Sequence, residues 1–257
     1  MIFAVICSVA FLASALTFFS GFGLGTLLLP AFAVFFPVEQ AIALTAVVHF
    51  LNGLFKLALI GKDADRGVVL RFGLPAIAAS LLGAWLLVWL ADLAPALSYT
   101  AFGRSVTITP VKLVVGLLLL GFAALELSAR FRALAFPPRL MPVGGLLSGF
   151  FGGLSGMQGA LRSAFLVRVG LSKEAFIGTG VLIAVLIDIC RLGVYSTAIA
   201  AAAPRLDFGL LVAALASAFA GAALGNRYLK KLTMPGIQRI VAIMLFLVAL
   251  GLSVGWL

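Results

Sequence analysis

Apolar runs of about twenty residues or more, separated by short clusters of charge, fill this chain almost from end to end. No charged residue precedes Glu39. As one helix, residues 2–36 would extend about 52 Å at about 1.5 Å per residue, against a hydrocarbon core of about 30 Å. That segment must tilt strongly or break, and Gly21, Gly23, Gly25 and Pro30 supply the weak points. Shorter runs follow at Ala41–Ile60, Val68–Ala91 and Thr109–Leu127. Beyond a basic stretch, Arg130–Arg139 with Pro137-Pro138, the pattern returns: a long glycine-broken run, Met141–Val169, then Ala175–Ile199, Phe208–Arg227 and Pro235–Gly255. The runs do not alternate at period two, which rules out a membrane barrel. Helices satisfy their own backbone polar groups and fit the pattern.

The expected fold is therefore an all-α polytopic membrane protein. It has two repeats, residues 1–129 and 140–257, joined by a basic linker at 130–139. Each repeat carries four main spans, the first of them glycine-broken or re-entrant. Ordered matches between the halves support the repeat. Ser20-Gly21-Phe22 recurs as Ser148-Gly149-Phe150, and Glu39 as Glu174 ahead of the next span. Seventeen residues after those glutamates stand Lys56 and Arg191. Ala79-Ser80 recurs as Ala216-Ser217, each followed by a Gly-Ala pair, and Lys112 and Arg239 open the last spans.

Composition confirms the class: 64% of the 257 residues are hydrophobic, 10% are charged and mean hydropathy is +1.26. The net charge of +10 is not a nucleic-acid signal, because the Lys and Arg residues sit in short loops without interleaved aromatics. Cys7 and Cys190 lie in apolar runs and imply neither disulfide nor metal site. The opening MIFAVICSVAFLASALTFFSGF lacks a positive n-region and reads as a first span, not a signal peptide. Counting charges tests topology. If each long segment crosses once, Lys and Arg divide 7 inside to 8 outside; if each folds back as a hairpin, they divide 12 to 3. The positive-inside rule selects the hairpins, and these make the two halves inverted relative to each other. Both termini are then outside.

Polar residues fall in three groups at helical spacing. Thr45, His49, Asn52 and Lys56 form one stripe, and Asp188, Arg191 and Tyr195 form its counterpart, with Asp188 placed to pair with Arg191. The third group, Ser155, Gln158, Arg162 and Ser163, sits at the second glycine break. Arg162 is the sharpest signal. An arginine deep in hydrocarbon costs about 2.5–3.5 kcal/mol on insertion scales unless it meets a partner, a cavity or an anion. A glycine break ahead of it aims free backbone N–H groups at the same place. Each residue also has a plainer reading. Arg162 and Lys56 can snorkel to an interface, and Asp188–Arg191 can be a structural ion pair. Asn52, Thr45 and Ser155 can be interhelical hydrogen-bond glue. His49 can be a packing residue, although it and Asp188 are the first candidates for proton coupling. Glu39 and Glu174 suit helix starts.

Enzyme constellations are missing. One histidine and two distant cysteines build no metal site, no P-loop occurs, and no catalytic pair is visible. No cofactor is called for.

With breaks and repeats in view, the chain resembles the TauE/SafE family of sulfite exporters over nearly its whole length. SGFGLGTLLLP (Ser20–Pro30) is similar to that family's glycine-rich opening, and GGLLSGFFGGLSGMQGA (Gly144–Ala160) to the matching internal motif. The resemblance implies membrane transport of small anions such as sulfite, organosulfonates or related carboxylates. Where the family continues with a glycine triplet and a proline, Met157-Gln158-Gly159 and Arg162-Ser163 stand here. The reading is a secondary transporter of the inner cell membrane, not an enzyme, working by alternating access. Its rival is a non-transporting accessory or assembly protein. Substrate contacts are assigned to Arg162, Gln158, Gly159, Ser155, Gly25, Thr26, Asn52, Lys56 and Arg191. The partners are a small anionic substrate and the lipid bilayer, with no nucleic acid and with a homo-oligomer left open.

Overall fold

A computed structural model of the chain describes residues 1–20, 24–101, 104–128, 130, 134–202, 207–228 and 234–256. Gly21 and Gly23 of the first break, and the charges at Arg132, Arg205, Lys230 and Lys231, lie outside the described residues. Ten helices carry the described part: α1 (Ile2–Ser20), α2 (Leu24–Ala33), α3 (Val38–Ile60), α4 (Arg66–Ala91), α5 (Pro110–Leu127), α6 (Met141–Ser155), α7 (Gly159–Leu166), α8 (Lys173–Ala202), α9 (Phe208–Tyr228) and α10 (Met234–Ser253). Among the described residues four stretches are long and apolar enough to cross a membrane: Val38–Asp63, Arg66–Ala91, Lys173–Thr197 and Phe208–Arg227. The all-α membrane class stands, and the second long run divides at the glycine break, between Ser155 and Gly159. Glu39 and Glu174 fall in the first turns of α3 and α8.

One element was not expected. Residues 97–108, read as a loop, form a short antiparallel hairpin, β1 (Leu97–Ala101) with β2 (Arg104–Ile108). Its β-branched run Val106-Thr107-Ile108 suits a pleated surface, and the Tyr99 hydroxyl donates to the Val254 carbonyl at 2.6 Å, tying the hairpin to the end of α10.

Glycines set how the helices pack. Gly145, Gly149 and Gly153 of α6 lie directly on the carbonyls of Phe72, Ala76 and Ser80 of α4, and Gly83 returns the contact to Phe150. The order shows that α4 and α6 run parallel. Gly221 and Gly225 of α9 meet the carbonyls of Phe11 and Ala15 in the same way, so α1 and α9 are parallel too. No side chain fits between backbones this close, which is the usual membrane use of small residues. By contrast α3 and α8 are antiparallel, with Gly53 against Val185 and Gly178 against the Ile60 carbonyl. The same holds for α5 and α10, where Gly116 meets Ser253 and Ala249.

The second long segment is a fold-back. Gly144, at the start of α6, touches the ring of Phe165 at the end of α7. Between them the Ser148 hydroxyl donates to the Gln158 carbonyl at 3.1 Å. Phe136, ahead of α6, stacks on Phe165 with centroids 4.3 Å apart and donates its N–H to the Ala164 carbonyl at 3.0 Å. The chain therefore leaves this segment at the end where it entered.

Candidate functional site

The polar stripes of α3 and α8 face each other across the antiparallel pair. Nδ1 of His49 lies 2.5 Å from Oδ2 of Asp188. Asp188 Oδ1 accepts from Arg191 Nε at 2.8 Å, and Arg191 Nη2 stands 2.8 Å from the same oxygen without hydrogen-bond geometry. Both Asp188 and Arg191 are wholly buried, so the ion pair foreseen between them exists and His49 joins it. One turn further along α8, the Tyr195 hydroxyl donates to the Gly153 carbonyl, a short bond between α8 and α6.

The second break sits beside this cluster. Gly156 ends α6 in a left-handed conformation, φ 79°, that glycine adopts without strain. Its pro-side-chain face looks at the arginine: a methyl there would stand 2.7 Å from Arg191 Nη1. The first break reaches the same spot. Gly25, in the first turn of α2, is packed so that an added methyl would lie 3.2 Å from the Gly156 carbonyl oxygen and 3.6 Å from Thr45 Cγ2. The beginning of α2, the break ahead of α7, and the two stripes thus meet at one junction.

Donors without partners mark this region. Five buried side-chain atoms lack a hydrogen bond among the described residues; Thr45 Oγ1, Gln158 Nε2 and Arg191 Nη1 are three of them, and a fourth, Arg191 Nη2, has only its ion pair with Asp188. Buried polar groups are normally satisfied, so such a concentration calls for an explanation. Nitrogen donors, a hydroxyl and helix N-termini together suit an anion, because each points positive charge inward. Gln158 is the N-cap of α7 yet gives no side-chain cap, leaving the first N–H groups of that helix to other partners.

Arg162 is 8% exposed and donates from Nη1 to Gln158 Oε1 at 3.1 Å. Its Nε edge packs on Gly180 of α8, where a methyl would come within 3.3 Å. Among the described residues no carboxylate comes within 4.0 Å of it. The remaining candidates divide. Gly159 and Thr26 are buried in the first turns of α7 and α2, and Lys56 is buried on α3. Asn52 is bonded as a helix tie: its Oδ1 accepts from Ser14 of α1 at 3.1 Å. Ser155 donates to the Phe151 carbonyl of its own helix at 3.0 Å. Sequence reasoning missed Ser14 and Ser148, single hydroxyls in apolar runs, and missed Gly156 as the turning point. Only its place in the glycine-rich run hinted at that.

The family model for sulfite exporter TauE/SafE matches residues 6–252. The chain belongs to the TauE/SafE family. No curated protein and no solved structure matches it. TauE/SafE proteins are membrane transporters of sulfite or related anions, not enzymes. Within this TauE/SafE chain, Gln158 and Arg162 beside the second break are bonded to each other.

Proposed function

We propose that this chain is a secondary transporter that exports a small anion, such as sulfite, an organosulfonate or a related oxyanion or carboxylate, across the inner membrane by alternating access. The observation that carries the reading is the meeting of Gly25, Gly156, Thr45 and Arg191 at one junction lined by unpartnered donors. The N–H groups of the α2 and α7 starts and the Arg191 guanidinium hold the oxygens. Arg162, braced by Gln158, supplies a second planar fork for bidentate contact. Lys56 adds positive charge that draws the anion in.

Helix directions support an inverted repeat of residues 1–129 and 140–257. Since α3 opposes α8, it starts where α8 ends, which is where α9 begins. Parallel to α9, α1 starts at that same end. α2 must therefore bring the chain back, as α7 does in the second half. Every helix of the first half then runs opposite to its counterpart, an arrangement suited to rocking one half against the other. Lys62, Arg66, Arg139, Arg168, Lys173 and Arg227 share one end, which the positive-inside rule makes cytoplasmic. Single cysteines at Ala64 and Ser172 should label from the cytoplasm and one at Ser98 from outside. Opposite labelling of Ala64 and Ser172 would end the inverted model.

The accessory-protein reading draws on the Ser14–Asn52 and Tyr195–Gly153 ties, which are structural. It leaves the unpartnered donors without a role. A thermal-shift screen of purified protein against sulfite, sulfate, methanesulfonate and short carboxylates separates the two. Binding stabilises by RT ln(1 + [L]/Kd), about 2.7 kcal/mol at about 100 times Kd. No shift with any anion sinks the transport reading.

A further inference from the structure

We propose that the His49–Asp188–Arg191 cluster couples anion binding at the junction of the breaks to uptake of one proton. This rests on the transport reading and adds its coupling ion.

The argument is a count of charge in a buried space. Asp188 carries a negative charge and Arg191 a positive one, so with His49 neutral the cluster is neutral. Arg191 already spends its Nε edge on Asp188 and turns its free Nη1 toward Gly156. An anion arriving at Nη1 brings a second negative charge beside Asp188, and the two compete for one guanidinium. In a weakly screening interior that conflict is severe. The hydrogen on His49 Nδ1 already bridges to Asp188 Oδ2, 2.5 Å away, so a further proton goes to the free Nε2, makes His49 an imidazolium, and removes it. The cluster then carries one net positive charge, which a monoanion neutralises.

The reverse also holds. Near the cluster stand Arg162 on α7, a cation whose charge acts on Asp188, and Tyr195 on α8, while Lys56 lies about two turns along α3 from His49. The α2 and α6 segments bear no charge. Charges on the other packed elements lie within about two turns of helix ends: Glu39, Arg66, Arg71, Lys112, Glu126, Lys173, Glu174 and Arg227, with Lys62 and Asp63 in the turn after α3. Asp188 is thus the one acid among cations in the middle of the bundle, and the cations repel an added proton until an anion arrives. Each ligand favours the other by the same factor, as linkage requires. The second ring nitrogen of His49 is the atom that can take up and release the proton.

Calorimetry on the full-length protein in detergent tests this with methanesulfonate, whose charge stays fixed between about pH 5 and about pH 8. Sulfite serves as a second probe, after subtraction of its own proton exchange. We expect binding heat to vary with the ionisation enthalpy of the buffer, reporting about one proton taken up per anion. Affinity should weaken by up to about tenfold per pH unit above the titration of the pair. His49→Gln, which cannot take the proton, should bind more weakly and with neither dependence. Buffer-independent heat and a pH-independent Kd in the wild-type protein overturn the coupling while leaving anion transport standing, and this arm needs no variant to fold. Absence of binding heat with both probes at every pH removes the anion site itself, and the transport reading with it.

Discussion

The two long glycine-rich segments bring different materials to the junction. Around its break the first hairpin, α1–α2, offers bare backbone: from Leu24 to Ala33 it bears no charge, and its contribution to the junction is Gly25 and the N–H groups of its first turn. The second, α6–α7, carries the side chains, with Gln158 and Arg162 bonded to each other and Gly156 lying over Arg191. Both long helices are tied to the stripe helices, α1 by Ser14–Asn52 and α6 by Tyr195–Gly153. The two breaks therefore meet at one junction with unequal chemistry: helix backbone on the side of α2, guanidinium groups on the side of α7 and α8.

The largest expected effect tests the side-chain half. Arg191→Ala leaves Asp188 buried with His49 as its partner, and breaking a buried pair typically costs about 3–5 kcal/mol. We expect a large drop in melting temperature and loss of transport. The double substitution Arg191→Leu with Asp188→Leu should recover stability, because no lone charge remains, but not transport. Recovered transport in the double variant would show that the anion is held by backbone alone.

Next come the two turning glycines. Gly156→Ala places a side chain at φ 79° and 2.7 Å from Arg191 Nη1, so strain and collision add, for about 1–3 kcal/mol. Gly25→Ala meets the Gly156 carbonyl at 3.2 Å with no unusual φ, so the neighbour need yield only slightly. Its stability cost should be smaller while its effect on anion affinity remains, since the methyl sits where the oxygens would go. Equal stability losses would mean that the two turns are under the same constraint.

How much of this was legible beforehand differs between fold and site. Span positions, the breaks and the pairing of Asp188 with Arg191 follow from hydropathy and helical period, because those patterns respond to burial alone. The hairpin at 97–108 was legible and was passed over: Leu97, Tyr99 and Ala101 alternate with Ser98 and Thr100, and Val106 and Ile108 with Ser105 and Thr107, but each run is too short to stand out between spans. Asn52 was readable as polar and inward, but whether it faced a ligand or Ser14 depends on which helix packs there, and Ser14 stands 38 residues away in the chain. Gly156 was one glycine among many until its φ and its arginine neighbour were placed. Arg162 read as an isolated cation, and its bond to Gln158 four residues back is the i, i+4 relation that helix geometry permits.

A smaller effect distinguishes the roles of Arg162 and the first hairpin. If Arg162 grips two oxygens, lysine lacks the planar fork, and losing a charge-assisted bond of about 1.5–3 kcal/mol weakens affinity by about 10- to 150-fold. Thr26→Ala, at the uncharged break, should cost less than that, because the backbone N–H groups survive the change. The check is substrate affinity of purified Arg162→Lys and Thr26→Ala, each shown by melting to be folded. Unchanged affinity in a folded Arg162→Lys would leave the helix ends, Lys56 and Arg191 as the anion ligands.

The smallest effect concerns the two ties, and it decides whether Asn52 belongs with the substrate. Interhelical hydrogen bonds in membrane proteins average about 0.6 kcal/mol, because the separated helices also find partners. Ser14→Ala should therefore lower stability by about that amount, and Asn52→Ala by slightly more, since it also orphans the serine hydroxyl. Tyr195→Phe should exceed both, because it strips a short bond from the Gly153 carbonyl at a wholly buried position. If Asn52 acts only as a tie, a double-mutant cycle of Ser14→Ala and Asn52→Ala will return a coupling near the whole single-variant effect, with anion affinity unchanged in all three variants. An Asn52→Ala variant that loses affinity while Ser14→Ala keeps it would move Asn52 from the frame of the first hairpin into the binding site, and would make the two hairpins more alike than their charges suggest.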